Sequence, residues 1–149
     1  MRLSLLAAIG CLSIACGSSS SSPTIAGTWE GMAAAGVKLT AVFTPAATPS
    51  AGSSRLIQTV PVSGDTPTCS SSIIGDGAYT ITGSSIAITV TSGRSTVTDC
   101  SVPDTDTAVT DLKELQGFAM TLSGPFILTE TTLKLGTAYP ALTRKTLAQ

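Results

Sequence analysis

The sequence predicts an all-β domain: an antiparallel up-and-down meander of eight or nine strands. Three observations point there. Short runs that alternate apolar and Thr-rich positions recur along the chain, the period-two pattern of strands with one buried and one solvated face. Gly, Pro and Ser separate these runs at short intervals, as turns require. No βαβ rhythm interrupts them, which argues against a parallel sheet.

The elements follow in order. Val37, Leu39, Ala41 and Phe43 alternate with Lys38, Thr40 and Thr44. Tyr79 and Ile81 alternate with Thr80 and Thr82, and Gly83-Ser84 turns the chain into Ile86, Ile88 and Val90. Ser92-Gly93 reads as another turn, followed by a strand over residues 94–100. Phe118, Met120 and Leu122 form a further alternating run, and residues 126–130, 133–135 and 142–144 supply the last strands. Residues 45–54, rich in Pro, Ala, Ser and Gly, read as a mobile loop, and residues 63–72 as a turn region. One short helix fits residues 107–115, capped by Asp106 or Thr107, with Ala108, Leu112 and Leu115 on one face. A plain loop is the alternative there.

Composition removes several functions. Eight Lys and Arg against nine Asp and Glu give a net charge of -1, without the basic excess of a nucleic-acid binder. The chain has no His, so a Ser/His nucleophile and imidazole-bound zinc are ruled out. Asp104-Thr105-Asp106 starts like a calcium loop, but Val109 and Leu115 stand where an EF-hand needs Gly and an acid. A solvated acidic loop is the simpler reading. Gly75-Asp76-Gly77 reads as a hairpin turn, because a strand follows it where a phosphate loop needs a helix. No catalytic residue, cofactor or metal ligand is expected, and the chain is expected not to be an enzyme.

Residues 1–15 read as a signal peptide: Arg2 supplies the positive charge, and an apolar run carrying Leu5, Leu6, Ile9, Leu12 and Ile14 follows. That run is too short for the ~20 residues of a membrane span. It ends at Ser13-Ile14-Ala15-Cys16, which resembles a bacterial lipobox, with Ser13 where leucine is usual. The resemblance makes Cys16 the lipidated mature N-terminus. Cys11 is the competitor, but it leaves an apolar run of only about seven residues. Gly17, not Asp, follows Cys16, which by the same resemblance directs sorting to the outer membrane. Residues 16–24 then form the lipidated cysteine and a Ser-rich tether, and residues 25–149 the β domain. The expected location is the bacterial cell envelope, with the membrane as a partner through the lipid anchor.

Once Cys11 is removed and Cys16 acylated, Cys69 and Cys100 remain. An even pair in an oxidising compartment predicts a disulfide. A redox or metal-binding pair is the alternative, and no C-x-x-C spacing supports it.

Ile25-Ala26-Gly27-Thr28-Trp29 opens the domain and Leu142-Thr143-Arg144 closes it. Gly27-Thr28-Trp29 resembles the Gly-x-Trp motif of lipocalins and the compact lipocalin-like lipoproteins of bacteria. The resemblance implies that the meander of eight or nine strands closes into a small lipocalin-like barrel, that Trp29 closes the barrel floor and that Arg144 packs across its ring, a contact of roughly 0.5 to 2 kcal/mol. The long C-terminal helix of the extracellular family is missing. Inward positions are then expected at Trp29, Leu39, Phe43, Tyr79, Ile81, Ile88, Phe118, Met120 and Leu135. An apolar interior suits a small hydrophobic ligand such as a lipid. The alternative is a structural or protein-binding envelope module with a filled core and no ligand. The sequence names no protein partner.

Overall fold

Thr, Val and Ile dominate the alternating runs because β-branched side chains pack well on a pleated surface. In the computed structural model, which describes residues 23–65, 67–112, 121–137 and 139–146, they form nine antiparallel strands. These are β1 (Gly27–Met32), β2 (Lys38–Pro45), β3 (Ala51–Pro61), β4 (Ser70–Thr82), β5 (Ser85–Thr98), β6 (Thr105–Val109), β7 (Thr121–Leu128), β8 (Thr132–Leu135) and β9 (Leu142–Arg144). A single 3-10 turn, Ala34–Gly36, joins β1 to β2.

Hydrogen bonding runs in the order β4-β3-β2-β1-β9-β8-β7-β5, and β4 also pairs with β5. Eight strands therefore close on themselves, which removes the open edges of the sheet. The ninth, β6, continues the wall: β5 pairs with β7 through Ser85–Thr89 and with β6 through Gly93–Val97. The meander puts the turns 46–50, 83–84 and 129–131 at one end, here called the floor. The connections 33–37, 62–69, 99–104 and 136–141 lie at the other end, the mouth.

Four sequence expectations are corrected. The loop expected over 45–54 shrinks to residues 46–50, because Gly52 to Ser54 pair with both β2 and β4 and Ala51 pairs with β4. Their small side chains are a packing requirement: a Cβ on Gly52 would lie 2.1 Å from the Thr44 carbonyl oxygen. The hairpin turn expected at Gly75-Asp76-Gly77 lies inside β4, and the turn expected at Ser92-Gly93 lies inside β5. Between them the register shifts, with Asp76 opposite Ser92 and Gly77 opposite Val90. Thr91 is thus the extra residue of a bulge, which restores the same inward side beyond it. The helix expected over 107–115 is strand β6 as far as Val109, where alternating β-branched residues take ladder bonds from β5; residues 113–115 lie outside the described residues.

The core gathers along the barrel axis. Trp29, Phe43, Tyr79, Ile86, Ile88 and Leu133 are buried, and Phe43 meets Tyr79 edge to face at 5.3 Å.

Candidate functional site

The floor is built where the first and last strands meet. Trp29 pairs with Arg144 across the β1–β9 ladder. The Trp29 ring is fully buried and its Nε1–H donates to the Ile25 carbonyl at 2.8 Å. The Arg144 guanidinium lies 4.2 Å from the ring centroid. Its Nε donates to the Glu130 carbonyl at 2.9 Å and its Nη1 to the Ala26 carbonyl at 2.8 Å. Nη2 donates to the Thr24 carbonyl. One side chain thus ties the entering chain, the β7–β8 turn and the last strand together, a task suited to the planar donor fork of arginine. Gly27 has φ +116, a conformation that side chains with a Cβ rarely adopt, so the glycine of Gly-x-Trp is set by the backbone.

Of the other inward positions, Phe43, Tyr79, Ile88 and Leu135 are buried, and Leu39 and Ile81 pack against them partly buried. Phe118 and Met120 lie outside the described residues. Ile25, Ala41, Leu56, Ile86, Val90, Leu133 and Leu142 also belong to the core, although sequence reading did not single them out as inward. The period-two rule extended from Ile88 and Leu135 would have found Ile86, Val90 and Leu133. Burial pushes the Tyr79 hydroxyl above the ordinary tyrosine pKa.

At the mouth, Leu39, Leu56, Leu122, Leu135, Tyr139 and Leu142 line a space of about 20 Å³. That holds little more than one water molecule, whereas pockets for small molecules run from about 300 Å³ upward. The Ser54 hydroxyl is buried and has no hydrogen-bond partner among the described residues.

Beyond the mouth, Cys69 and Cys100 are joined by a disulfide with their Cα atoms 4.4 Å apart. It ties the start of β4 to the connection after β5. Asp65 lies beside the two sulfurs, but both are spent in the bond, and Asp65 accepts from the Ser101 amide at 3.0 Å. Asp104 accepts from the Asp99 amide at 3.0 Å, and Asp106 pairs with Arg94 at 3.1 Å. These internal partners, not a common focus, orient the carboxylates. Cys16 lies outside the described residues.

Compared with protein-family models, with curated proteins and with solved structures, the chain finds no match in any of the three.

Proposed function

We propose that the chain is a lipid-anchored, non-catalytic envelope module whose barrel has a filled core and acts through its outer surface. The lipobox-like run ending at Cys16 and the serine tether support the anchor. The observation that carries the filled-core reading is that the space among Leu39, Leu56, Leu135 and Leu142 is only about 20 Å³, while the hollows of about 310 Å³ beside Thr44, Arg55 and Asp76 and beside Thr80, Thr82 and Ala87 are more open to solvent. A lipid chain needs more than ten times the room among those leucines, so the sequence-level expectation of a hydrophobic ligand gives way to its alternative. The lipocalin-like features, Gly27-Thr28-Trp29 and Arg144, then serve closure of the barrel.

Two measurements test this. Replacing Cys16 with Ser should abolish acylation and move the domain from the membrane to the soluble fraction. Titrating the folded protein with a fluorescent fatty acid should give no saturable signal at micromolar ligand. Saturable binding that is lost on widening the Leu56 or Leu135 side chain would restore the carrier reading.

A further inference from the structure

We infer that the barrel stands floor-first on the bilayer, so that its acidic mouth faces away from the membrane. This rests on the lipid anchor at Cys16 proposed above. Length and charge carry the inference independently.

The chain enters the described structure at Pro23 and is pinned at the floor, because the Thr24 and Ala26 carbonyls both accept from Arg144. From Cys16 to Pro23 the backbone spans at most about 25 Å. To set the mouth on the bilayer, that tether would have to run back along the barrel. The longest strand, β5, has 14 residues. Its length is about 46 Å, or about 33 Å along the barrel axis at a 45° tilt. The tether is too short for the inverted arrangement.

Charge selects the floor over a barrel wall. The floor turns 46–50, 83–84 and 129–131 carry one acid, Glu130, beside Arg144, and Lys145 just past β9 is paired with Glu30, so this end is close to neutral. The turn Ala46-Ala47-Thr48-Pro49-Ser50 is uncharged and exposed. Asp65, Asp99, Asp104 and Asp106 sit in or beside the mouth connections, against Lys38 and Arg94, the latter paired with Asp106. An anionic lipid surface repels the second end and leaves the first free to approach.

The test uses the full chain, recovered with its anchor and reconstituted into vesicles of phosphatidylethanolamine and phosphatidylglycerol with nitroxide-headgroup lipid. Two variants, Thr48→Cys at the floor and Val102→Cys at the mouth, each add one free thiol beside the Cys69–Cys100 disulfide and carry the same fluorescent label. Mass measurement of the N-terminal peptide reports acylation separately, and the fluorescence of Trp29 reports folding. The expected result is that the label at 48 loses most of its fluorescence and the label at 102 keeps it. Lys145→Glu should reduce the quenching at 48. Equal quenching at both positions, or stronger quenching at 102, in an acylated and folded protein overturns the orientation and leaves the anchor standing. An unmodified N-terminus overturns the anchor, and the orientation with it.

Discussion

The Arg144 guanidinium stands 4.2 Å from the centroid of the Trp29 ring, and the two residues are also ladder partners across the seam of the barrel. Because Arg144 also bonds the Thr24, Ala26 and Glu130 carbonyls, closure and floor are one interaction. Arg144→Ala should therefore destabilise the fold by roughly 2 to 4 kcal/mol, combining the cation–π contact with hydrogen bonds to a charged donor. Arg144→Lys should recover less than half, since an ammonium lacks the planar fork. Urea unfolding followed by Trp29 fluorescence checks both. A loss below about 0.5 kcal/mol, the range of ordinary surface changes, would show that the ladder closes the barrel without it.

The disulfide between Cys69 and Cys100 has a sequence separation of 31. On the chain-entropy model a loop of that size stabilises by roughly 3 to 4 kcal/mol. The Cys69→Ser, Cys100→Ser double variant should lower the urea midpoint accordingly. The native protein should show no thiol in the barrel until it is reduced. Retention of the full midpoint after reduction would assign the bond no stabilising part.

The closure at Trp29 and Arg144 is legible only through the resemblance of Gly27-Thr28-Trp29 to the Gly-x-Trp motif. The strands with Ile and Val at alternate positions are legible directly, from their period of two. Residues 51–54 and 75–77 were not. Their Gly and Ser content is the signature of turns, yet here the small side chains let neighbouring backbones approach inside a strongly coiled sheet. Strand β6 was misread because Asp106, Thr107 and Ala108 fit a helix start as well as an edge strand, and only pairing with β5 decides between them. Whether the interior is filled depends on how the walls converge, which no local pattern encodes.

Gly77 makes that packing testable. A Cβ there would stand 1.9 Å from the Thr89 carbonyl oxygen and 2.9 Å from the Val90 Cα. Both are backbone atoms at the bulge, so no side chain can swing aside. Gly77→Ala should cost about 3 kcal/mol or more, the upper end of overpacking effects. Ala78→Ser, one position along on the outward face, should cost less than about 0.5 kcal/mol. Similar midpoints for the two would mean that the bulge relaxes freely.

Ser54 offers a stabilising change. Its hydroxyl is buried without a partner among the described residues, in a ladder position opposite Phe43. Burying an unmatched hydroxyl costs about 1 to 3 kcal/mol. Ser54→Ala removes that cost and little else, so it should raise stability by about 1 kcal/mol. A destabilised Ser54→Ala would reveal that the hydroxyl holds a bound water.

Glu30 sets a pH dependence. It bonds Lys38 at 3.1 Å and Lys145 at 3.2 Å, and these partners, Lys38 foremost, hold its carboxyl below the ordinary value of 4.5. The unfolded chain therefore takes up this proton more readily than the folded one. The stabilisation is complete above pH 4.5 and disappears as pH falls through the lower folded value. Partial exposure limits it to about 1 kcal/mol at most. Glu30→Gln should accordingly lower the urea midpoint at pH 7, and the difference should shrink as the pH falls below 4.5. Salt should weaken the difference at pH 7, because exposed ion pairs are screened. A difference that grew toward low pH would reverse the sign of the linkage and remove Glu30 from the account.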